Sequence, residues 1–340
     1  MTQRILIATD AWHPQVNGVV RTLDSTTQTL RAMGHVVEVV SPQGFSQIPI
    51  PFYPEIPICF PRPGSINHRI KSFRPNCVHI ATEGPIGLLV RQYCRQRDWN
   101  FTTSYHTKFP EYAQTLTGFP ARWSYRFLRW FHNRASAIMV ATPSLEADLQ
   151  QRGFTSPICR WSRGVDLSVF RAGGKQPSQY PCPVLLYVGR VSVEKNIEAF
   201  LMIDTPGTKV IVGDGPARIE LQAKYPQAVF LGFLKGEALT AAYAAADLFV
   251  FPSKTDTFGL VMIEAMACGL PVAAFPVTGP IDIITEPNLG ALNEDLGTAI
   301  GSALDTGSRS ACIEEARRYS WQNCTQQFVE NLVLARNQST

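Results

Sequence analysis

The sequence predicts an α/β protein made of two doubly wound domains. At 340 residues the chain is longer than one hydrophobic core usually organises. In both halves, short apolar runs rich in branched residues alternate with stretches of helical periodicity, which is the pattern of parallel α/β sheets. A stretch dense in Gly, Pro, Ser and Gln at 161–183 separates the halves, and we interpret it as the connection between the domains.

The first half begins with a strand, a loop and a helix. The run at 4–10 predicts the strand, and apolar residues repeat at helical spacing over 19–34, at Val20, Leu23, Leu30 and Met33. Further strands are predicted, in order, at 36–41, 77–82, 101–105 and 137–142. Helical stretches between most of them indicate one doubly wound domain.

The second half repeats the pattern. Strands are predicted at 184–190, 209–213, 228–232, 247–253 and 270–275. The tail from Leu296 is predicted to be helical, with its apolar positions at Trp321, Phe328, Leu332 and Leu334. Two such domains facing each other leave a cleft, and the ligands of these sheets bind at the carboxyl ends of the strands.

The composition narrows the range of functions. The net charge of +4 is weaker than a nucleic-acid-binding domain normally shows, and it suits an anionic ligand or an anionic lipid surface. The eight cysteines form no CxxC pair and no cluster at metal-ligand spacing, and the N-terminus lacks a signal-peptide pattern. We therefore expect a reduced, cytoplasmic setting. The apolar stretch at 241–252 is broken by Asp247 and Pro252, so no transmembrane helix is predicted.

Two carboxylates lie eight positions apart in the segment KTDTFGLVMIEAMACG, residues 254–269. Asp256 falls in the loop that leaves a predicted strand, and Glu264 lies one to two turns into the helix that follows. Carboxylates accept hydrogen bonds from vicinal hydroxyls, and the N–H groups at a helix start bind phosphate. Both side chains can therefore face one elongated polar ligand. The alternative is a solvated or capping Asp256 and a salt-bridged Glu264.

Two cations follow the first strand of the second half. Arg190 ends the strand, and Lys195 comes five residues later, at the start of a predicted helix. Positive charge at this edge of a sheet suits an anionic ligand such as a diphosphate, because preorganised positive charge stabilises negative charge that develops there. The alternative is a pair of exposed surface cations.

Glycines mark two further turns. Gly18 precedes the first helix, so the backbone there can approach a phosphate or a sugar closely. Gly213 and Gly215 resemble part of a dinucleotide-binding turn, but Arg218 occupies the place of its third small residue. We interpret this second turn as a tight strand-to-helix connection.

Six colinear segments carry a family resemblance: ATDAWHPQVNGVVRTL, SYHTKFPEY, SRGVDLSVF, VGRVSVEKNIEAFL, VGDGP and SKTDTFGLVMIEAMACGLPV. They resemble the retaining, GT4-like GT-B glycosyltransferases, which include bacterial α-mannosyltransferases and sulfoquinovosyl- and glycosyl-diacylglycerol synthases. The resemblance implies two Rossmann-like domains facing a cleft. It implies an acceptor-side domain at 1–165, joined by the C-terminal helix at about 320–340, and a sugar-nucleotide-binding domain at 166–319.

The resemblance also implies roles for particular residues. Glu264 would hold the ribose, and Asp256, at a position that is usually Glu, would contact hydroxyls of the transferred sugar. His106 would touch that sugar near the reacting centre as a positioning group, and Glu83 would lie on the acceptor side. The remaining substrate-binding positions that it implies are Gly18, Gly189, Gly213, Thr257, Phe258, Gly259 and Leu260.

The implied activity is a retaining transfer of a hexose from a UDP- or GDP-linked sugar. The sequence has no DxD metal motif, and in the resembling family Arg190 and Lys195 stabilise the leaving diphosphate in place of a cation, so we expect neither metal nor cofactor. The expected acceptor is a membrane lipid, such as diacylglycerol or a glycolipid, and a soluble or polysaccharide acceptor is the alternative. The same folds also occur in GT-B sugar-nucleotide epimerases, nicotinamide-dependent oxidoreductases and non-catalytic sugar-nucleotide-binding modules, so these functions stay open at this point.

The segment ARWSYRFLRWFHNR, residues 121–134, bears on the acceptor. On a helix, its arginines at 122, 126 and 129 fall beside an aromatic face that comprises Trp123, Phe127, Trp130 and Phe131. Such a helix can lie in a membrane interface, which predicts peripheral binding to an anionic inner membrane face. The alternative is a helix of the first domain that buries its aromatic residues and exposes its arginines.

Overall fold

The computed structural model describes residues 2–15, 17–50, 53–111, 114, 118–171 and 176–336, and the chain divides into two compact units. The first unit runs to Arg163 and is rejoined by the chain from Trp321; the second is Gly164–Ser320. Residues 172–175 of the predicted connection and 337–340 of the predicted tail lie outside the described residues. Two residues of the predicted connection are packed in cores, because Trp161 is buried in the first unit and Phe170 in the second.

The first unit is built around a parallel sheet. Its elements are, in chain order, β1 (Arg4–Ala8), α1 (Gly18–Ala32), β2 (Val36–Val40), β3 (Ser46–Ile50), β4 (Tyr53–Phe60), α2 (Pro63–Phe73), β5 (Cys77–Ile80), α3 (Pro85–Arg95), β6 (Thr102–Ser104), α4 (Ala121–His132), β7 (Ala137–Val140), α5 (Pro143–Gln151) and β8 (Ile158–Arg160). Among the described residues the sheet order is β2-β1-β5-β6-β7-β8, with every pair parallel. Strands such as β1 are buried on both faces, which explains their continuous apolar runs.

The structure differs from the sequence prediction in several places. Most strands stop one or two residues before their predicted ends, because the last residues turn into loops. The antiparallel pair of β3 and β4 is not predicted, since prolines interrupt its alternating pattern. Met33 is not part of the buried stripe of α1: it is the C-cap residue and is exposed.

The carboxyl end of β1 carries a buried carboxylate that organises α3. Asp10 accepts hydrogen bonds from the backbone N–H groups of Ile86 at 2.8 Å and Gly87 at 3.3 Å, and from the Thr82 hydroxyl at 2.9 Å. Burial raises the pKa of Asp10, while these hydrogen bonds lower it. The N-terminus of α3 is therefore occupied by a side chain of the protein itself.

The second unit contains another parallel sheet. Its elements are β9 (Val184–Val188), a 3₁₀ turn (Val193–Lys195), α6 (Ile197–Leu201), β10 (Thr208–Val212), α7 (Arg218–Lys224), β11 (Val229–Gly232), α8 (Gly236–Ala245), β12 (Leu248–Phe251), α9 (Leu260–Ala267), β13 (Val272–Ala274), α10 (Pro280–Ile283), β14 (Gly290–Leu292), α11 (Leu296–Thr306) and α12 (Arg309–Ala316). Within the described ranges the sheet order is β11-β10-β9-β12-β13-β14. Both sheets thus have strands on either side of their first strand, which is the doubly wound arrangement.

The last helix, α13 (Trp321–Asn331), belongs to the first unit and packs on α1. Phe328 is buried in that core, whereas Leu334 lies beyond the helix and is exposed. The tail predicted as helical from Leu296 is therefore three helices, α11 to α13. In the part of the chain that the structure describes, no helix has both the length and the apolar character to cross a membrane.

Gly213 directly follows β10, and its backbone packs closely against the residue that follows β9. Its φ of 138° lies in the region that favours glycine, and a Cβ there would sit 1.8 Å from the carbonyl oxygen of Gly189. The Gly213 N–H donates to Gly232 O at 2.8 Å, which also ties the turn to β11. A side chain at this position would have to displace backbone and not a flexible side chain.

We predict that Gly213→Ala lowers the free energy of unfolding by at least about 2 kcal/mol, because it combines an unfavourable φ with a backbone clash. Gly301→Ala is the matched control: Gly301 lies in α11 with open space around its Cβ position, and Ala there should stabilise by about 0.5–1 kcal/mol. Urea unfolding followed by circular dichroism measures both. Equal midpoints for the two variants would contradict this account of the turn.

Candidate functional site

The loop after β12 carries an ion pair that links two of the predicted site residues. Lys195 Nζ lies 2.6 Å from Asp256 Oδ1, and both side chains are about four-fifths buried. The second carboxylate oxygen, Oδ2, is buried and has no hydrogen-bond partner among the described residues. Asp256 is therefore not a solvated loop residue, and Lys195 is not an exposed surface cation. A buried acceptor without a donor favours a ligand that supplies one.

Arg190 lies on the same edge of the second unit, directly after β9. Its Nε is 4.0 Å from Glu194 Oε1, and Glu194 in turn accepts a hydrogen bond from the Ser192 hydroxyl at 2.6 Å. The Glu194 side chain is largely buried. The 3₁₀ turn thus sets a carboxylate beside Arg190 and presents Lys195 to the next loop. Glu194 lies within the quoted motif VGRVSVEKNIEAFL, but sequence reasoning assigns it no role.

Glu264 is buried inside α9. It is 2% exposed, and the hydroxyl of Tyr243 on α8 donates to its Oε2 at 3.0 Å. Tyr243 is itself fully buried and packs edge-on against Phe170. No sequence signal indicates this contact, because Tyr243 lies in an alanine-rich helix with no motif around it. The pair holds the carboxylate in one orientation.

The start of α9 brings backbone groups to the same edge. Gly259 is the N-cap residue, with a φ of 88°, and a Cβ there would lie 2.7 Å from Met262 Cε. Leu260 is the first residue of the helix. Thr257 and Phe258 are buried, and the Phe258 ring packs edge-on against Tyr319. Phe258 is therefore a packing residue, and any ligand contact there comes from its backbone.

The turns after β9 and β10 lie side by side. Gly189 N donates to Val212 O at 3.0 Å, and Val191 N donates to Asp214 O at 2.9 Å. Gly189 and Gly213 accordingly serve the packing of two backbones at the edge where Arg190 lies. This is the tight strand-to-helix connection that the sequence predicts for VGDGP.

Gly18, in the first unit, is the first residue of α1 and is exposed. The Asn17 side chain accepts hydrogen bonds from the N–H groups of Val19 and Val20, each at 3.0 Å. Two of the donors at this helix start are thus already capped. The approach of the Gly18 backbone to a phosphate or a sugar stays a prediction.

His106 follows β6 and lies in a chain of polar side chains. Its Nε2 is 2.8 Å from Ser104 Oγ, and its Nδ1 is 3.0 Å from Arg163 Nη2. Burial first, and then the nearby Arg163, lower the pKa of His106 well below its usual value, so the ring is neutral. Arg163 belongs to the quoted motif SRGVDLSVF, but sequence reasoning assigns it no role.

Glu83 follows β5 and is held by a histidine that no sequence motif indicates. His132 Nε2 lies 2.9 Å from Glu83 Oε1, and His132 Nδ1 lies 2.9 Å from the Thr103 hydroxyl. The His132 side chain is fully buried, whereas a quarter of the Glu83 side chain is exposed. Glu83 therefore presents part of its carboxylate to solvent from a fixed position.

Helix α4 exposes most of its aromatic residues. Trp123, Phe127 and Trp130 are 50%, 40% and 51% exposed, so they do not fill the core. Phe131, which the sequence places with them, is fully buried and packs in the core of the first unit. Arg129 is half-buried and donates to Arg152 O at 3.0 Å, so it does not belong to the exposed basic face.

Basic side chains surround this aromatic surface. Arg122 and Arg126 are exposed, with their guanidinium carbons 5.7 and 6.0 Å from the Trp123 ring centre. On the other side, the Arg91 guanidinium lies 4.0 Å from the Trp130 ring centre. Burial, and then the charges of Arg95 and Arg134, lower the pKa of Arg91 to about 10. We call Arg122, Trp123, Arg126, Phe127 and Trp130 the α4 surface.

Comparison with known proteins assigns the class. Residues 16–169 match the family model Glycosyltransferase Family 4, and residues 182–305 match Glycosyl transferases group 1. A GDP-mannose-dependent alpha-mannosyltransferase of Mycolicibacterium smegmatis is 31% identical, over 93% of this chain and 90% of that protein. Sulfoquinovosyl transferase SQD2 of Arabidopsis thaliana is 29% identical, over 91% of this chain and 69% of that protein.

Solved structures agree on the fold. Sucrose-phosphate synthase from Thermosynechococcus elongatus superposes with a TM-score of 0.77 at 20% identity, covering 96% of this chain and 97% of that one. Anabaena HepE in complex with UDP and glucose gives 0.69 at 17% identity, covering 96% and 98%. The protein has the GT-B fold and is a glycosyltransferase. It belongs to glycosyltransferase family 4.

Proposed function

We propose that the chain transfers a hexose from a UDP- or GDP-linked sugar to a hydroxyl of a membrane lipid, such as diacylglycerol or a glycolipid, with retention and without a metal ion. The observation that carries the donor half of this proposal is the Lys195–Asp256 pair with its unsatisfied, buried Oδ2. A hydroxyl of the transferred sugar would supply the missing donor. A diphosphate would take further hydrogen bonds from the Lys195 ammonium group, which has three donors.

The remaining donor contacts follow from the same edge of the second unit. Arg190 and Lys195 stabilise the diphosphate as charge develops on it, which is the work a divalent cation does in other transferases. Glu264, oriented by Tyr243, accepts from the ribose hydroxyls. The start of α9 offers backbone N–H groups to a phosphate. Because side chains and backbone groups of the protein would make all these contacts, they support a reaction that needs no metal and no cofactor.

The names of the relatives support both donor bases. The Mycolicibacterium relative is GDP-mannose-dependent, and the Anabaena structure holds UDP and glucose. We assign no covalent nucleophile among the described residues of the site, because in this proposal Asp256 Oδ1 binds Lys195 and Oδ2 accepts from a hydroxyl of the transferred sugar. We therefore favour departure and attack on the same face of the sugar, with the leaving phosphate helping to remove the acceptor proton.

The α4 surface supports the lipid acceptor. Exposed tryptophans flanked by arginines favour the interface of an anionic membrane, where each arginine contributes about 1 kcal/mol. We propose peripheral binding to the cytoplasmic face of a membrane through this surface. An epimerase would release a free sugar without any acceptor, so product analysis in the absence of acceptor separates it from a transferase.

We predict turnover in excess EDTA at the rate seen without EDTA. The reason is that Arg190 and Lys195 already supply the positive charge for the diphosphate. The assay follows nucleoside diphosphate release after extensive dialysis, and the anomeric proton of the product reports retention. Activity that vanishes with EDTA and returns with Mg²⁺ would contradict the metal-free reaction.

We predict that Arg190→Ala and Lys195→Ala each lower kcat about 10²- to 10³-fold with smaller effects on donor affinity, because these contacts strengthen in the transition state. Glu264→Gln and Tyr243→Phe should mainly weaken nucleotide binding, measured by calorimetry with UDP and GDP. Lys224→Ala is the matched control: it removes an exposed cation of the same unit that pairs with Glu198. Wild-type nucleotide affinity in the Glu264→Gln variant would remove the ribose assignment.

We predict that the protein co-sediments with vesicles that contain anionic lipid and stays in the supernatant with neutral vesicles. Trp123→Ser with Trp130→Ser should abolish binding, and Arg122→Glu with Arg126→Glu should weaken it at least about 30-fold, the equivalent of two arginines at about 1 kcal/mol each. Met202→Ser with Ile219→Ser is the control, because these exposed apolar residues lie in the second unit. Equal recovery of wild type from both vesicle types, with full activity on a soluble sugar, would leave a soluble acceptor.

A further inference from the structure

Arg163 is a buried cation without a carboxylate partner among the described residues. It follows β8 in the first unit and is 4% exposed. Its Nη1 donates to the carbonyl oxygens of Trp161 at 2.6 Å and Ser162 at 3.1 Å, and its guanidinium carbon lies 4.7 Å from the Trp161 ring centre. Burying a charge is costly unless it is well hydrogen-bonded, and burial lowers the pKa of Arg163 to about 10. An apolar side chain could fill this space without the cost of burying a charge, so packing alone does not explain the guanidinium.

The remaining partner of Arg163 is His106. Arg163 Nη2 lies 3.0 Å from His106 Nδ1. A guanidinium has only donors, so Nδ1 must offer its lone pair and carry no hydrogen. In a neutral imidazole the hydrogen is then on Nε2, which donates to Ser104 Oγ at 2.8 Å.

The Ser104 hydroxyl continues this series of hydrogen bonds into the core. Once it accepts from His106, its own hydrogen is directed to His79 Nε2 at 3.1 Å or to Ala81 O at 3.4 Å. His79 Nδ1 lies 2.9 Å from the Thr102 hydroxyl. These side chains form one chain of hydrogen bonds that begins at Arg163 and ends on the strands of the sheet.

We infer that Arg163 is a positioning residue for His106: it holds the ring as the neutral tautomer with hydrogen on Nε2 and fixes its orientation. This inference rests on the proposed function for its catalytic consequence, but not for the tautomer itself. With one ring nitrogen bound to Arg163 and the other to Ser104, His106 would act in the transfer through the fixed position of its ring. It is not the group that removes the acceptor proton.

The charges around His106 agree with a neutral ring. The groups that face it are Arg163 after β8, His79 on β5, and His132 on α4 with its partner Glu83. A proton on His106 would place a second positive charge beside the buried guanidinium and remove the acceptor that Arg163 uses. The pKa of His106 is lowered well below the pKa of an ordinary histidine, about 6.5. The ring therefore stays neutral from about pH 8 down to about pH 6.5, and we expect no loss of activity from His106 in this range.

The test reads the tautomer directly. Protein labelled with ¹⁵N only in histidine is observed by NMR, and the His106 signals are assigned by their loss in His106→Ala. The expected wild-type result is an unprotonated Nδ1 and a protonated Nε2, unchanged between about pH 6.5 and 8. A protonated Nδ1, or titration within this range, would overturn the inference without any variant.

Variants of Arg163 separate its donor from its charge. Arg163→Gln keeps an amide donor for Nδ1 and should keep the wild-type tautomer, whereas Arg163→Met offers no donor and should give mixed tautomers. We expect kcat to fall on the order of 10- to 100-fold in Arg163→Met, with partial recovery in Arg163→Gln and little change in donor KM. His106 signals that are the same in Arg163→Met and wild type would overturn the inference.

Two further measurements keep the outcomes distinct. Far-ultraviolet circular dichroism and the unfolding midpoint report whether Arg163→Met folds. If it does not fold, the wild-type tautomer and the kcat of Arg163→Gln test the positioning role instead. The NMR measurement uses the free protein, so a failure to transfer any hexose would refute the proposed function and leave the tautomer result standing. A normal tautomer with wild-type kcat in a folded Arg163→Met would refute the positioning role.

Discussion

The close approach of the backbones after β9 and β10 is the constraint on which the candidate site of the second unit depends. No Cβ fits at Gly213, because the Gly189 carbonyl already occupies that space. These contacts fix the path of the backbone after β9, which leads into the 3₁₀ turn that ends at Lys195. Asn196, in the left-handed conformation with a φ of 53°, then donates its side-chain amide to Pro252 O at 3.1 Å, which ties the turn to the loop of Asp256. The glycine turns and the Asn196 contact therefore both restrict the 3₁₀ turn that carries Lys195 to the loop of Asp256.

Much of the fold is predictable from periodicity, and the failures have physical causes. Fully buried parallel strands give continuous apolar runs, so most strands of both sheets are predicted within a few residues of their ends. The hairpin of β3 and β4 escapes prediction because its prolines hide the two-residue alternation, and its pairing shifts register between Ile48 and Ile50. β8 and β14 are not predicted, because each is a three-residue strand at the edge of a sheet and is too short to show a periodic pattern. Periodicity also cannot decide which aromatic residues of α4 face inward, since Trp130 and Phe131 are neighbours in sequence but have opposite exposure.

The candidate site is predictable by residue type and motif, but its supporting contacts are not. Motifs indicate Glu264 and Glu83 without indicating what holds them. Their partners, Tyr243 and His132, lie 21 and 49 residues away in sequence and come into contact only through the packing of helices. Such contacts leave no local signature, because a buried tyrosine or histidine in a helix looks like any other core residue. The same applies to Arg163, whose motif is visible in the sequence while its 3.0 Å contact with His106 is not.

Under the proposed function, the pair of Lys195 and Asp256 would bind a hydroxyl of the donor sugar without losing a contact of its own. A carboxylate with both oxygens satisfied would have to release a partner before it could bind a sugar, which would break a buried hydrogen bond. Here one oxygen binds Lys195 and the other is buried without a donor among the described residues, so a hydroxyl adds a hydrogen bond and breaks none. A glutamate would be one methylene longer, so its carboxylate could not keep the same position beside the Lys195 ammonium group without a change in the side chain or the loop. Under the proposed function, we therefore expect the shorter side chain to favour a sugar whose hydroxyl lies close to the ion pair.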